Sequence, residues 1–406
     1  MSSRPRILYL APNAPNGPCF GTQLRVRQIA SALKDVGELS LVVAGLKEEL
    51  SGATTPGGEF EVDRFLVLTE TPAGSFADRF QRSLNVRATP YGHRADEASK
   101  SWVHSCLPQF DMVWLHNMRT AYAFDRWIWP RSVMDLDDIP STFYQSVSDN
   151  GETATGRLKS QLRVRLHRRR ERLLSQRFTV VTVCSESDRD YLGLAGPVHV
   201  IPNGFDMPKH PPVRTPANPP RIGFIGTFNY PPNVESLRWF VQKCWPQIRQ
   251  RVPNVRLRLV GSQTDGNFKP TGPDIDALGY MESTDEEIAT WSAMIVPIRQ
   301  GAGTRLKIAD GFSKKVPMIA TSLGVSGYAV TNGVEMFIAD SPGDFAAACV
   351  ETILDPAKAE QMAERGWVRF LKEWSWEAIR PRIWAAAEDC LRRAGSREAG
   401  RTLIAP

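Results

Sequence analysis

The sequence predicts an α/β protein made of two tandem halves, each built on a parallel β-sheet. Three observations support this prediction. Unbroken apolar segments alternate with amphipathic segments that have helical periodicity, a proline-rich segment interrupts the alternation at residues 207–220, and the same alternation then restarts. Strands that are apolar on both faces are typical of parallel sheets covered by helices on both sides.

The first half opens with the apolar segment ILYLA, a turn-rich loop, the helical pattern QLRVRQIASALKDVG and the apolar segment LSLVVAGL. This order of strand, loop, helix and strand is a βαβ unit. Further strands of the same sheet are predicted at RFLVLT (64–69), MVWLH (112–116), RSVMDLDD (131–138), TVVTVCSES (179–187) and PVHVIPNG (197–204).

The segment MPKHPPVRTPANPP has six prolines in fourteen residues, so it predicts a stiff, extended linker. The second half then gives the strand RIGFIGTF, the helix PNVESLRWFVQKCWPQIRQRV, the strand VRLRLVGS and two further helix–strand pairs, the second within TRLKIADGFSKKVPMIATS. The remainder is helical in periodicity. The predicted domains are 1–205, a linker at 206–220, 221–375 and a C-terminal helical segment at 376–406.

Composition limits the class of protein. The content of 42% hydrophobic and 23% charged residues is that of a globular chain, and the net charge of +6 favours an acidic partner. No apolar run approaches the roughly 20 residues that span a bilayer, and ILYLA is too short for the core of a signal peptide. The six cysteines are scattered, which suits reduced thiols. A cytoplasmic location is therefore expected.

The segment PIRQGAGTRLKIADGF (297–312) has the residue types of a phosphate site. Gly301 and Gly303 would allow the backbone to approach a ligand, and Thr304 is the predicted N-cap of a helix that begins at Arg305. The helix N-terminus, Arg305 and Lys307 would attract phosphate, and Asp310 would accept hydrogen bonds from ribose. A nucleoside diphosphate fits this order of groups; the alternative is an ordinary capped surface helix with two solvated cations.

Other nucleotide fingerprints are missing from the sequence. It has no GK dipeptide, hence no Walker A loop, and GFIGTF lacks the spacing of the dinucleotide-binding motif. The zinc motif H-E-x-x-H is also missing from the sequence. No metal ion or cofactor is predicted.

Several segments together resemble retaining family 4 glycosyltransferases of the GT-B fold. They are FGT near the N-terminus, CSESDRDYL (184–192), PNGFD (202–206), GFIGTFNYPPNVESLRWF (223–240), VGS (260–262) and the segment at 297–312. The resemblance implies two Rossmann-like domains facing a central cleft, with the C-terminal helix after Trp376 crossing back to the first domain. It also implies hexosyl transfer, with retention of anomeric configuration, from a nucleotide-diphosphate sugar to a hydroxyl acceptor. The branch most resembled makes bacterial polysaccharides and glycoconjugates without a metal ion; a lipid-linked glycan is one candidate acceptor.

The family's Glu-x7-Glu motif carries over unevenly. Its second acid falls on Asp310, which is expected to hold the ribose, and its first falls on Ala302, so the backbone of Gly301, Ala302, Gly303 and Thr304 would hold the donor sugar and phosphates. The basic residues that many relatives have after the first strand of the second domain are replaced by the uncharged GTFNYPPN. This replacement shifts the diphosphate contact to Arg305 and Lys307, with Gly226 and Thr227 still expected at the donor.

In the first domain the loop Pro18–Thr22 resembles the family's glycine loop, with Gly21 and Thr22 as donor contacts. His116 ends the strand VWLH, where relatives often have a histidine near the reacting sugar, so it is the third predicted catalytic residue with Arg305 and Lys307. A histidine bonded only to a neighbouring loop is the alternative. For the acids of DLDD (135–138), helix-capping or turn roles are weighed against an acceptor contact.

The segment GRLKSQLRVRLHRRRERLLSQR (156–177) contains nine Arg or Lys residues and one Glu. Leu158, Leu162, Leu166 and Leu173 form a partial apolar stripe, so an interfacial helix on an anionic membrane is one hypothesis. An exposed basic helix without a partner is the other.

Three further functions compete with the glycosyltransferase. The basic helix could bind nucleic acid, although it lacks interleaved aromatic residues and no nucleic-acid module is recognisable. Asp135 and Asp137 could form the D-x-D metal site of the other major transferase fold. A GT-B enzyme could instead epimerise a nucleotide sugar. The glycosyltransferase is the preferred interpretation, with no nucleic acid as partner.

Overall fold

The computed structural model describes residues 4–16, 21–50, 60–71, 75, 81, 83–150, 153–262 and 272–402. The chain divides into two compact units. The first unit comprises Met1–Ser141, Leu158–Pro202 and Ile379–Pro406, and the second comprises Thr142–Arg157 and Asn203–Ala378. Residues 142–157, which lie within the predicted first domain, therefore group with the second unit.

The first sheet has eight strands among the described residues, in the order β4-β3-β2-β1-β5-β6-β7-β8. All neighbouring pairs are parallel except β3 and β4, which are antiparallel. The strands are β1 (Arg6–Ala11), β2 (Glu38–Leu46), β3 (Arg64–Glu70), β4 (His93–Ala95), β5 (Met112–His116), β6 (Ser132–Leu136), β7 (Val180–Val183) and β8 (Val198–Val200).

The helices before the proline-rich segment are α1 (Thr22–Val36), α2 (Lys47–Leu50), α3 (Glu97–Cys106), α4 (Asn117–Ala123), α5 (Pro140–Asp149), α6 (Ala154–Glu171), α7 (Leu174–Arg177) and α8 (Glu186–Leu192). The first of these, α1, is amphipathic because Leu24, Ile29 and Leu33 recur at helical spacing and are buried. It ends before Gly37, where the predicted helix also ends.

The second sheet has six strands among the described residues, all parallel, in the order β11-β10-β9-β12-β13-β14. The strands are β9 (Arg221–Ile225), β10 (Arg256–Val260), β11 (Ile275–Gly279), β12 (Ala293–Val296), β13 (Met318–Ala320) and β14 (Phe337–Ile338). The helices are α9 (Pro231–Trp239), α10 (Trp245–Arg251), α11 (Asp285–Ala289), α12 (Leu306–Ser313), α13 (Pro342–Leu354), α14 (Pro356–Arg369) and α15 (Trp376–Thr402).

Both faces of the second sheet are buried, which explains why its strands read as continuous apolar runs. One face of the sheet is covered by an apolar cluster that includes Phe224, Phe240 and Phe345. The other face is covered by a cluster that includes Phe312 and Trp374. Residues of the strands therefore alternate between two apolar clusters instead of between core and solvent.

The proline-rich segment forms no helix or strand, as its composition predicts. It is part of the second unit, where the amides of Thr215 and Ala217 donate to the backbone carbonyls of Ala289 and Thr290 at 2.9 Å. No helix in the described part of the chain is both long enough and apolar enough to cross a membrane.

Candidate functional site

The strand orders predict where ligands bind. In an open parallel sheet, a crevice forms at the carboxyl ends of two neighbouring strands from which the chain proceeds in opposite directions. In the first sheet these strands are β1 and β5, and in the second sheet they are β9 and β12. His116 is the last residue of β5, and the segment at 297–305 follows β12. Both groups of predicted site residues therefore lie at a switch point of their own sheet.

The loop between β12 and α12 is fixed by side chains at both of its ends. Gly301 and Gly303 have φ angles of 129° and 70°, which favour glycine. The Gly301 amide donates to Oγ of Ser146 at 2.8 Å, and the Arg305 guanidinium donates to the carbonyl oxygens of Ala302 and Gly303. Arg305 thus binds its own loop in this structure.

The amides between these anchors are available to a ligand. Among the described residues, the backbone N–H groups of Ala302, Gly303 and Thr304 have no hydrogen-bond acceptor. Successive N–H groups just before a helix form a concave site for an anion. The structure therefore combines three amides with the N-terminus of α12.

The prediction that Thr304 caps a helix beginning at Arg305 is wrong. The helix begins at Leu306, and Arg305 occupies the N-cap position with extended backbone (φ −90°, ψ 108°) and no side-chain capping bond. The Thr304 hydroxyl instead accepts a hydrogen bond from Nδ2 of Asn203 at 2.9 Å. Because this long-range contact engages the hydroxyl, the local capping pattern does not form.

Lys307 is the second residue of α12, and its side chain reaches Gly226 at the end of β9. Its Nζ donates to Oδ1 of Asn233 at 2.6 Å and lies 4.3 Å from the ring centroid of Phe224. The residue as a whole is half-buried, and its ammonium lies in densely packed surroundings. Burial, with a smaller contribution from the charge of Arg305, lowers the pKa of Lys307 to about 7.

Gly226 and Thr227 complete this corner. A Cβ atom on Gly226 would lie 2.8 Å from Nδ2 of Asn233 and 3.1 Å from Nζ of Lys307, so only glycine fits without displacing them. The Asn233 amide donates to the carbonyl oxygen of Thr227 at 3.0 Å. Asn233, which the sequence did not single out, thus connects the end of β9 to Lys307.

Asp310 forms an ion pair on its own helix. Its Oδ1 lies 2.9 Å from Nζ of Lys314, and the same ammonium lies 3.2 Å from Oδ1 of Asp285 and donates to the Thr284 hydroxyl at 2.6 Å. Beside Lys314 is a cavity of about 680 Å³ that Phe205 also lines. The carboxylate predicted to hold ribose is therefore held by a buried cation one helical turn further along.

In the first unit, Gly21 occupies the N-cap position of α1 with a φ angle of 54°, and an added Cβ would meet no atom within 4 Å. Thr22, the first residue of α1, has its hydroxyl 3.5 Å from Oδ2 of Asp137. The other residues of the predicted glycine loop, 18–20, lie outside the described residues.

His116 is fully buried between two carboxylates. Nδ1 lies 3.2 Å from Oδ2 of Asp135 and 3.3 Å from the Tyr9 hydroxyl, and Nε2 lies 3.3 Å from Oδ2 of Asp137. Burial alone would lower the pKa of His116. The negative charge of Asp137 and hydrogen bonds to both carboxylates outweigh it and raise the pKa to about 9. The ring is an imidazolium at neutral pH.

Arg25 anchors Asp135 and was not singled out from the sequence. Its Nη2 and Nε lie 2.6 and 3.0 Å from the two oxygens of Asp135, and the Thr182 hydroxyl donates to the same carboxylate at 2.6 Å. Burial favours the neutral acid, but the charge of Arg25 holds the pKa of Asp135 well below its usual value. Arg25 lies four residues before Ile29, on the apolar face of α1. An arginine on the buried face of a predicted helix was the sequence feature that could have indicated a buried ion pair.

The D-x-D metal hypothesis loses support from these contacts, because the oxygens of Asp135 already bind Arg25, Thr182 and His116. Within the described residues no group of three or more His, Cys, Asp or Glu side chains is arranged to hold a metal ion.

The basic helix α6 is only partly as expected. Leu158 and Leu162 are 69% and 47% exposed, so the apolar stripe faces outward at this end. Arg170 is buried and donates to the carbonyl oxygens of Ser83 and Asn85, so it does not belong to a cationic surface.

Known proteins resemble this chain in part of its sequence and in its fold. Residues 219–355 match the family described as glycosyl transferases group 1. Sucrose-phosphate synthase from Thermosynechococcus elongatus has 17% identity and a TM-score of 0.65, over 94% of this chain and 98% of that chain. HepE from Anabaena, solved in complex with UDP-glucose, has 16% identity and a TM-score of 0.60 over the same shares.

The protein has the GT-B fold, and its residues 219–355 match the family described as glycosyl transferases group 1. The predicted fold class is thereby confirmed. The matched segment contains every predicted donor contact of the second unit, from Gly226 to Asp310. A curated relative, an uncharacterized 44.6 kDa protein in the cps region of Klebsiella pneumoniae, is 26% identical over 160 residues. That match covers 35% of this chain and 41% of the relative, so less than half of either length is shared.

Proposed function

We propose that this GT-B protein is a glycosyltransferase that moves a sugar from a nucleoside-diphosphate donor to a hydroxyl group, with retention of anomeric configuration. The observation that carries the proposal is the anion site at the β9–β12 switch point. The amides of Ala302, Gly303 and Thr304, the N-terminus of α12 and Lys307 all belong to the segment that matches glycosyl transferases group 1.

Each of these groups suits a diphosphate. Backbone amides and a helix N-terminus bind phosphate oxygens without a change in protonation. Lys307 adds a positive charge in densely packed surroundings, where a charge pair is screened less than in water. Arg305 holds the loop through its carbonyls, and a bidentate guanidinium is also suited to phosphate. The Gly301 amide is already bound to Ser146, so the donor contacts assigned to the loop backbone begin at Ala302.

The reaction needs one bond exchange. The anomeric carbon of the donor loses its bond to the diphosphate oxygen and gains a bond to the acceptor oxygen on the same face. The acceptor proton passes to the leaving diphosphate oxygen, so no protein base is consumed. The protein positions the groups and stabilises the charge that develops on the diphosphate, which is commonly the largest contribution to catalysis. Lys307 and the three loop amides are placed for this task without a metal ion.

UDP-sugars are the first donors to test, because the structurally similar HepE was solved with UDP-glucose and with UDP. The proposed acceptor is a growing polysaccharide or glycoconjugate. In support, the structurally similar TarM of S. aureus was solved as a mutant with Fondaparinux, alpha-GlcNAc-glycerol and UDP. Its TM-score to this chain is 0.52 at 12% identity, over 73% of this chain and 59% of that chain.

We also propose that α6 contacts an anionic membrane surface on the cytoplasmic side, where a lipid-linked acceptor would be held. The exposed Leu158 and Leu162 stand among exposed cations such as Lys159 and Arg165. Apolar side chains flanked by basic ones are the pattern of an interfacial helix.

The experiment is a thermal-shift panel of UDP-, GDP- and dTDP-sugars, followed by analysis of the products of the donor that stabilises the protein. A bound ligand raises the apparent stability by mass action. We expect stabilisation by one nucleotide class, and an α-linked product from an α-linked donor. Stabilisation by none of the panel would contradict the proposal. A donor converted to an epimer without any acceptor would identify an epimerase.

A further inference from the structure

Four charged side chains form a continuous chain across the carboxyl edge of the first sheet. Arg25 on α1 binds Asp135 on β6, Asp135 binds His116 at the end of β5, and His116 binds Asp137, which follows β6. Two positive and two negative groups alternate, so the charges balance when His116 is protonated. A buried cluster of this kind is stable only when each charge has its partner.

Solvent reaches one end of this series of four charged side chains. The side chains of Arg25, Asp135 and His116 are 2%, 0% and 0% exposed, whereas that of Asp137 is 17% exposed. His116 is enclosed in this structure and both of its ring nitrogens have partners, so the predicted contact with the reacting sugar finds no support here. Of the four charged side chains, that of Asp137 is the one that a ligand can contact.

We propose that Asp137 binds the acceptor hydroxyl, and that Arg25, Asp135 and His116 are positioning residues that hold its carboxylate in place. This inference rests on the proposed glycosyltransferase function and names the residue that would receive its acceptor.

The chemistry suits binding more than proton abstraction. Burial favours the neutral acid, but the charge of His116 outweighs it and lowers the pKa of Asp137. The carboxylate is thus ionised and accepts a hydrogen bond from the acceptor O–H, but it is a weak base. The proton still leaves with the diphosphate oxygen, and the new C–O bond forms as the C–O bond of the donor breaks.

The neighbouring Asp138 provides a matched control. It is an exposed carboxylate next to Asp137 along the chain, and its amide donates to Oδ1 of Asp137. Asp138 is not one of the four linked charged side chains. Asp138→Asn therefore changes the local charge by the same amount without removing the partner of His116.

The test measures UDP release from UDP-glucose in excess glycerol as the probe alcohol, with UDP affinity and thermal stability as controls. We expect Asp137→Asn to lower kcat/KM for glycerol by about 10- to 100-fold, the effect of one hydrogen bond to a charged group. The KM for UDP-glucose should be unchanged, and Asp138→Asn should behave as the wild type. An Asp137→Asn enzyme as active as Asp138→Asn would overturn the inference. A wild type that neither binds UDP nor consumes UDP-glucose would instead contradict the proposed function.

The positioning role has its own readout. The titratable groups that contact His116 are Tyr9, Asp135 and Asp137, with the charge of Arg25 behind Asp135. The nearby Cys184 thiol donates to the Asp137 carbonyl. Burial raises the pKa of Tyr9 and of Cys184 well above their usual values, and both carboxyls stay ionised, so only His116 changes charge near pH 9. In a Lys307→Met background, where the donor site no longer titrates, we expect transfer to glycerol to fall as pH rises through about 9. Adding His116→Gln should remove this fall while lowering the rate at neutral pH. An identical pH profile in His116→Gln would overturn the positioning role.

Discussion

Nζ of Lys307 lies 2.6 Å from Oδ1 of Asn233, although 74 residues separate the two in the chain. Asn233 also donates to the Thr227 carbonyl at 3.0 Å, so a single amide side chain ties the end of β9 to the first turn of α12. The contact holds the ammonium beside Gly226, at the end of β9. The proposed diphosphate site therefore combines two segments, distant in the sequence, that the parallel sheet brings together.

Replacing Lys307 with methionine should weaken UDP binding. Methionine keeps the aliphatic length but removes the positive charge, so the loss should be about 1–3 kcal/mol, typical of a charge-assisted contact. Isothermal titration with UDP measures this loss, and uridine, which has no phosphate, should bind equally to both proteins. Equal affinities for UDP would place the diphosphate elsewhere.

The affinity for UDP should also depend on pH through the same ammonium. In the free protein the pKa of Lys307 is about 7, and a bound diphosphate favours the charged form and raises it. Below pH 7 the lysine is already protonated; above it, binding must take up a proton, so affinity should fall as pH rises. The measurement is UDP titration between about pH 6.5 and 8.5 in buffers of different ionisation enthalpy, which reports proton uptake directly. In Lys307→Met both the slope and the uptake should vanish.

The sequence points to the loop before α12 as a candidate phosphate site, because these residues are consecutive in the chain, but it gives no sign of the Asn233 contact. The order of glycines, Arg305 and Lys307 before an apolar helical pattern indicates a phosphate site by itself. The start of α12 could not be predicted, since the Thr304 hydroxyl binds Asn203, which is 101 positions away. The ion pair between Arg25 and Asp135 could not be predicted for the same reason. The two residues are 110 positions apart and meet only when α1 packs against the sheet.

The strands missed from the sequence share a physical reason. β4 and β14 have only three and two residues, and β11 has a polar alternation, IDALG, with no fully buried position. β4, β11 and β14 lie at sheet edges, where one side of the strand has no neighbour and continuous apolar sequence is not required. The central strands were recognisable because they are buried on both faces.

The cationic surface of α6 should bind anionic vesicles. Lys159, Arg165 and Arg172 are exposed, whereas Arg170 is buried and Arg168 lies 3.8 Å over the ring of Tyr191. Each cation near an anionic surface contributes about 1 kcal/mol, so changing the three exposed residues to Gln should reduce binding by more than about tenfold.

Vesicle flotation with and without phosphatidylglycerol measures this effect, and added salt should reduce it further. The control changes Lys243, Arg251 and Lys372 to Gln, three exposed cations of the second unit, and should leave vesicle binding intact. If both triple variants lose binding equally, the attraction belongs to the net charge of the protein and not to α6.

The pair Asp310–Lys314 leads to the final prediction. The carboxylate of Asp310, one methylene shorter than the glutamate of relatives, lies 2.9 Å from a nearly buried ammonium that also binds Asp285 and Thr284. If Asp310 receives the ribose hydroxyls, Lys314 fixes the direction in which its oxygens point. Lys314→Met should then let the carboxylate rotate and lower the affinity for UDP by about 1 kcal/mol, with a smaller loss for 2′-deoxy-UDP, which has fewer hydroxyls to hold.

Lys315→Met is the matched control, because that neighbouring lysine pairs with Glu364 on the surface and should leave both affinities unchanged. Asp310→Asn should lower the UDP to 2′-deoxy-UDP affinity ratio in the same direction and by more, since it removes the charge itself. A ratio that is the same in wild type, Lys314→Met and Asp310→Asn would show that the ribose lies away from this pair, and Asp310 would then serve only to bury the charge of Lys314.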